Sequence, residues 1–506
     1  MSHPAGLPDT GASELAQDAS WRHLDLRMLL VHPVNELVRF LPLVIGVFFL
    51  GRRSEGDPWH YLGVVIPIAV GIWRFATTRF RITGSQIELR RGLLGRSVLT
   101  APLDRVRTVE LTASPIHRFL GLAKIEIGTG SGARNGDARL VLDSLGLAEG
   151  RRLRSALLAH RPLAPGPDTP PLAAEGGERV ILRLDPSWVR FAPLTTSGLV
   201  IALAALGGAS QAFGDAVGRA ATSSRLGDTV GSLSLLVAIP AGIVVFLTVI
   251  STLAVSGYVL ANWGFTLTRD RDRRAFHVRR GLLTTRETSI DVERLRGLEL
   301  HEPLGLRLAR GGRLTAVVTG LGRRAEGSTA LVPPAPRAVV VGVGEEVLGE
   351  TGPLAVPLVP HGAAARRRRY GRALVTTSLV PLGLLALWWA AGWPAWLVPL
   401  GLLAPAGGLW LASDRYAGLG HALTERYLVV RSGSFQGRRD ALQRSGIIGW
   451  NIRQSWFQRR AGVVTLCATT AAGKQVYHAL DIPEDAAIAL ADAAVPGLVG
   501  QFLTGG

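Results

Sequence analysis

The chain has one cysteine in 506 residues, Cys467, and only two lysines, Lys124 and Lys474. One thiol excludes an intramolecular disulfide and a zinc site built on several thiolates. The surrounding run, residues 463–470, reads as a strand, so Cys467 is expected to be a small core residue. Charged side chains are scarce, 19% against 47% hydrophobic, and mean hydropathy is +0.26. That balance suits a membrane protein with water-soluble parts. The eleven histidines include no pair four residues apart and no HExxH. A P-loop, a GxGxxG following a strand, a GxSxG elbow and an EF-hand loop are also missing. The expectation is a non-enzymatic protein with no catalytic residue, no metal site and no cofactor. Net charge is +18, almost all of it from arginine, yet no nucleic-acid-binding module accompanies it. Nucleic acid is therefore not an expected partner. The first 30 residues lack a basic segment leading into an apolar core and a cleavage site, so no signal peptide is expected.

What the chain does have is repetition. Arg90-Arg91-Gly92-Leu93-Leu94 returns as Arg279-Arg280-Gly281-Leu282-Leu283, a shift of 189 positions. In the same register Leu103-Asp104-Arg105 falls on Val292-Glu293-Arg294, and Glu110-Leu111 on Glu299-Leu300. A weaker third copy reads Arg431-Ser432-Gly433-Ser434-Phe435, then Leu442-Gln443-Arg444, with a hairpin two residues shorter. The recurring acid–base neighbours (Asp104 with Arg105, Glu293 with Arg294) read as structural. Three editions of one unit are expected.

Each unit opens with two apolar spans and continues as short segments of period two. In Gln86-Ile87-Glu88-Leu89-Arg90, for example, every second residue is apolar, the pattern of a half-buried antiparallel strand. Glycine-rich turns separate such segments, and each unit closes in a helix. The predicted architecture is a membrane protein of six transmembrane helices in three hairpins. Each hairpin is followed by a PH-like domain, a small antiparallel β-barrel with a C-terminal helix. The boundaries are a tail at 1–28, hairpin 1 at 29–75, domain 1 at 76–162 and a linker at 163–182. Hairpin 2 follows at 187–263, with its third span at 191–213, then domain 2 at 264–350 and a basic linker at 351–372. Hairpin 3 covers 373–412 and domain 3 covers 413–500. A bilayer core of ~30 Å needs ~20 helical residues, so the first two spans are marginal in length, with Trp59, Tyr61 and Trp73 at belt positions.

Hairpin loops 51–58 and 213–232 each carry two basic and two acidic residues. The opposite ends of the spans hold Arg74, Arg79, Arg190, Arg269, Arg271, Arg273, Arg274 and Arg415, and the run Arg366, Arg367, Arg368 and Arg369. Basic residues near span ends stay on the cytoplasmic side. The N-terminus and all three domains are thus expected in the cytoplasm. The four-arginine run reads first as a topology anchor and also as a set of candidate anionic-lipid contacts.

The hairpin, the Arg-x-Gly-Leu meander and the stretch Ser114-Pro115-Ile116-His117-Arg118-Phe119-Leu120-Gly121-Leu122 lead into Gly128-Thr129-Gly130. Together they resemble the bacterial pleckstrin-homology-like domain of YdbT-like membrane proteins. Arg183-Leu184-Asp185-Pro186, ahead of a span opening Pro193-Leu194-Thr195-Thr196, is similar to that family's entry between units. The second copy keeps Pro303-Leu304-Gly305-Leu306 without the Ser-Pro, and the third keeps only Arg459-Arg460-Ala461-Gly462. The resemblance implies a membrane-embedded protein working beside a smaller one-domain relative, in envelope stress or resistance to membrane-active compounds. It supplies no catalytic residues. The expected function is a scaffold binding a protein partner or membrane lipids. The rival is a component of a transport or export system for an apolar molecule, and a lipid-modifying enzyme is a third option. No ligand, partner or oligomeric state follows from the sequence.

The topology has a direct check in intact cells with a membrane-impermeant maleimide. Cysteines replacing Ser54 and Ser223, in the two short loops, should label from outside. One replacing Ser432, in the third domain, should label only after permeabilisation, and its labelling in intact cells would reverse the orientation.

Overall fold

The computed structural model describes residues 21–23, 25, 27, 77–83, 86–91, 97–102, 108–128, 139–151, 153, 178–195, 235–270, 275–319 and 329–497. The first two predicted spans and most of the third lie outside these residues.

In the first copy β1 (Arg22–His23), β2 (Arg79–Ile82), β3 (Gln86–Arg91) and β4 (Ser97–Pro102) form one antiparallel sheet, paired in that order. β5 (Thr108–Ala113), the short helix α1 (Pro115–Phe119), β6 (Leu122–Gly128) and β7 (Arg139–Gly146) follow. The alternation read in β3 buries Ile87 and Leu89. They share one core with Phe80 and with Val109, Leu111, Ile125, Ile127, Leu140 and Leu142 of the second meander. Each such aliphatic side chain taken from water contributes about 1.5–3 kcal/mol. Glu88, on the other face, is covered by Arg81 at 2.8 Å and Gln86 at 2.8 Å. The Ser-Pro signature is a capped helix start: Ser114 is the N-cap of α1 and Pro115 opens its first turn.

A strand β8 (Arg179–Arg183) leads into a 3-10 segment, Pro186–Leu194, whose N-cap Asp185 accepts a 2.8 Å bond from the Ser187 amide. Trp188, Phe191 and Ala192 are buried. Phe191 and Ala192, at the predicted opening of the third span, are thus buried in protein, whereas Leu194 is exposed. Helix α2 (Leu235–Asn262) is the fourth predicted span, and its Tyr258 hydroxyl donates to the Pro334 carbonyl at 3.0 Å.

The second copy continues with β9 (Thr266–Arg269), β10 (Ala275–Arg280), β11 (Thr285–Asp291), β12 (Leu295–Pro303), α3 (Leu304–Leu308), β13 (Gly311–Val318), β14 (Ala330–Pro336) and α4 (Arg337–Leu348). Next come α5 (Gly362–Ala391), α6 (Leu397–Gly401) and α7 (Leu403–Ala417). The third copy is β15 (Gly420–Leu423), β16 (Tyr427–Ser432), β17 (Gln436–Gln443), β18 (Ile447–Arg453), α8 (Trp456–Arg460), β19 (Val463–Thr470), β20 (Val476–Pro483) and α9 (Glu484–Ala494). Cys467 is buried in β19, where burial pushes its thiol up and leaves it unreactive. Among the described residues three stretches are helical, long and apolar enough to cross a membrane: Gly242–Asn262, Gly362–Ala391 and Leu397–Ala417.

The third hairpin is not shorter than the others. Arg91 pairs with Ser97, Arg280 with Arg286 and Ser432 with Arg438, an identical separation in each copy. Gly281 and Gly433 hold φ of +107° and +97° there, and a Cβ on either would sit 2.0 or 2.1 Å from a backbone oxygen across the turn. Only glycine fits such a turn.

The sheets do not stop where the copies stop. β7, β6, β5, β11, β10, β9 and β8 form one sheet of seven strands, and β14, β13, β12, β17, β16 and β15 one of six. β5 of the first copy thus pairs with β11 of the second, and β12 of the second with β17 of the third. Contacts group the chain into two compact units, the second beginning at Leu295 in this part of the sequence, inside the second copy.

At the junction of β12 with β17, Glu299 faces Asp440. Glu299 accepts from Lys474 Nζ at 2.8 Å and from the Tyr477 hydroxyl at 2.8 Å. Burial works to raise the Glu299 carboxyl, but hydrogen bonds from His301 and Lys474 outweigh it and hold the group well below the usual carboxylate range. Burial pushes Asp440 upward, against the pull of Arg438 at 2.9 Å. Glu299→Gln should destabilise the unit containing the third domain by about 2–3 kcal/mol, because Lys474 loses its buried counter-charge. Denaturant unfolding followed by tryptophan fluorescence measures this, and an unchanged midpoint would deny the network a role.

Candidate functional site

The arginine run lies on α5, not in a linker, because the helix starts at Gly362, eleven residues before the predicted span at 373. A helix turns about 100° per residue, so four consecutive arginines fan around it and meet different surroundings. Arg366 and Arg367 are exposed, whereas Arg368 and Arg369 are half-buried. Both of the latter reach Asp481, at 1% exposure. Arg369 Nη2 is 2.8 Å from Oδ2, and Arg368 is hydrogen-bonded to Oδ1.

Asp481 lies in β20 of the third domain, two residues before the strand's end, with a left-handed φ of 56°. Gln458 Nε2 adds a donor to it at 3.0 Å. Gln458 is itself fixed by a reciprocal cap, since Ser455 and Gln458 bond each other's backbone at the start of α8. This capped turn occupies the place of Ser114 in the first copy, although the third copy's sequence had kept only Arg459-Arg460-Ala461-Gly462 of the signature. Just before α5, His361 meets the Leu480 carbonyl at 2.7 Å and the His421 ring at 5.2 Å between centroids. Burial drives both imidazoles down, His421 to about 4, so the pair is neutral at neutral pH. These contacts lock the base of α5 to the third domain.

Beside that lock lies a cavity of about 840 Å³. Arg367, Arg368, Arg372 and Arg460 line it together with the apolar Val375 and Phe457. From α5 it takes residues 364, 367, 368, 371, 372, 375 and 376, spaced as one face of a helix. The cavity therefore straddles the point where α5 changes from basic to predominantly apolar sequence. Phe457 is 69% exposed and Trp456 59%, and Arg460 lies over the Trp456 ring at 5.1 Å. At 1.5 Å per residue, Trp389 lies about 26 Å further along the helix than Arg372, close to the thickness of a bilayer core. Trp388, Trp389, Trp393 and Trp396 are exposed at that far end, where a second aromatic belt belongs.

Of the four sequence-predicted arginines, Arg367 and Arg368 line the cavity. Arg369 serves the buried ion pair with Arg368, and Arg366 is not among the lining residues. Sequence reasoning missed Arg372, Arg460, Phe457 and the anchoring Asp481. One signal was available for Asp481: a lone acid at an inward position of an alternating apolar segment. A second cavity, of about 610 Å³, gathers Arg190, Arg307, Arg310, Arg337, Arg431 and Arg439 around Glu302. Its charge is partly spent internally, since Arg337 bonds Glu302 at 2.7 Å and Arg307 bonds Asp414 at 2.6 Å. Among the described residues no group of His, Cys, Asp and Glu is arranged to hold a metal.

Asp481→Ala should leave Arg368 and Arg369 half-buried without a counter-charge and cost about 3–5 kcal/mol. Urea unfolding read from tryptophan emission should show the loss, with Asp481→Asn intermediate. Parent-like stability in the alanine variant would mean that the lock is not formed.

One protein-family model matches this chain, that of the bacterial PH domain, over residues 36–161, 215–341 and 373–494. No curated protein and no solved structure matches it.

Proposed function

Because the chain belongs to the bacterial PH domain family, with three matches over most of its length, we propose that it is a non-enzymatic membrane scaffold. Six helices anchor it, its three PH-like domains face the cytoplasm, and the cavity at the base of α5 takes the headgroup of an anionic phospholipid. The observation that carries this reading is the cavity itself: four arginines and apolar side chains line it together, at the level where the apolar part of α5 begins. A phospholipid has that combination, a phosphate beside acyl chains, and the arginine fork matches phosphate geometry. Charge asymmetry across the spans supports the orientation. A smaller one-domain PH-like membrane protein as partner, and a role in envelope stress or resistance to membrane-active compounds, complete the proposal. The stretches 242–262 and 373–411 contain no Asp, Glu, Lys, Arg or His, and ion- or proton-coupled transport draws on such groups.

Native mass spectrometry of the full chain in detergent, with added phosphatidylglycerol or phosphatidylcholine, tests the pocket. The parent should retain phosphatidylglycerol preferentially, and less of it as salt rises. Arg367→Gln, Arg372→Gln and Arg460→Gln together should weaken retention on the order of 100-fold, at about 1 kcal/mol per arginine. Unfolding should be unaffected, because the Asp481 lock is spared. Equal phosphatidylglycerol retention by parent and triple variant would sink the lipid reading.

A further inference from the structure

The junctions between copies follow one pattern. The first strand of a copy's second meander lies edge to edge with the last strand of the next copy's first meander. β5 does this with β11, and β12 with β17. The register is also shared. Glu110 stands opposite Thr288, and its equivalent Glu299 stands opposite Asp440. Thr288 and Asp440 are themselves equivalent, each two residues past the partner of the hairpin residue, Arg286 for Arg280 and Arg438 for Ser432.

Two strands are left over. β4 is the last strand of the first copy's first meander, and β18 is the first strand of the third copy's second meander. Among the described residues each is outermost in its sheet. Neither carries a lysine or an inward-pointing charge; β4 has only its terminal Pro102 and β18 only the bulge at Gly449 as edge protection. β4 reads Ser-Val-Leu-Thr-Ala-Pro, with no charge at all, and Val98 is 51% exposed. β18 exposes Ile448 at 63% and Ile452 at 44%, and its one charge is the terminal Arg453.

Gly449 fixes the alignment of β18 with β12. It is the counterpart of Gly297, each lying two residues into its strand at the same bulge. A Cβ on Gly297 would come within 2.0 Å of the Ala441 carbonyl oxygen on the neighbouring strand, whereas one on Gly449 would meet nothing within 4 Å. At the first junction the same position is Thr108, so the glycine marks β18 as the counterpart of β12 without itself calling for a partner strand.

We propose that β18 of one molecule pairs antiparallel with β4 of a second copy, joining chains head to tail in the register of the two internal junctions. That register sets Trp450 opposite Thr100, Asn451 opposite Leu99 and Ile452 opposite Val98. The occupant is a second copy because this chain carries both complementary edges, while its own β4 and β18 belong to different sheets. Such a contact is heterologous, so it builds a ring or a row of barrels on one membrane face. It is independent of the lipid reading.

Directly opposed residues of an antiparallel pair have Cα atoms about 4.5–5.5 Å apart, within disulfide reach. Full-length Val98→Cys protein mixed with full-length Ile452→Cys protein in lipid nanodiscs or mild detergent, then oxidised, should give a reducible dimer. Each single variant alone should stay monomeric on a non-reducing gel, and the double variant should give a ladder. Light scattering supplies a second measurement. The parent should run as an oligomer, and Val98→Lys with Ile452→Lys should run as a monomer with an unchanged thermal transition, since both side chains are exposed. Absence of the mixed dimer with a monomeric parent would overturn the proposal. So would a cross-link confined within single molecules of the double variant, which would mean closure of the chain on itself.

Discussion

Backbone pairing from one copy to the next is the constraint on which the rest of this structure depends. Each repeat exposes the first strand of its second meander, and an unpaired strand edge is a row of unsatisfied amides and carbonyls. The next copy's first meander supplies the missing partner twice. The domains are therefore not beads on a string. A sheet that runs on across a copy boundary ties one barrel to half of the following one, and the contact boundary accordingly falls at Leu295, inside the second copy. The second of these junctions is reinforced by charge, with Glu299 held between Lys474, Tyr477 and His301.

The arginines divide their work by helical phase. In a linker, four in a row would have formed one solvated cluster. On α5 they are spread around the axis, so Arg369 turns to the domain, Arg367 to the cavity, and Arg368 touches both. Asp481 neutralises the inward pair and in doing so fixes the base of a bilayer-length helix to the third domain. The remaining positive charge, joined by Arg372 and Arg460, sits beside apolar side chains at the end of the apolar run. One contact thus couples a fold requirement, the seating of the helix, to a surface suited to a phosphate.

Much of this was legible in the residues. Period-two alternation identified β3, and the paired carboxylate and arginine positions aligned the first two copies. The glycine of the Arg-x-Gly signature marked a hairpin that only glycine permits. Other features were read wrongly for identifiable reasons. The third hairpin looked shorter because Arg444 was aligned with Arg294, whereas the pairing of Ser432 with Arg438 keeps the spacing of the other copies. Phe191 and Ala192 were assigned to a span although they are buried in protein, because apolar composition cannot distinguish burial in protein from burial in lipid.

The sequence by itself determined that this chain carries three copies of one small β-domain, because periodicity and composition are local properties that survive without coordinates. Tertiary structure alone decided which edge meets which, where Asp481 points, and which arginines remain open to a ligand. Strand order and side-chain partnership join residues more than a hundred positions apart, and no local pattern encodes a distance of that kind.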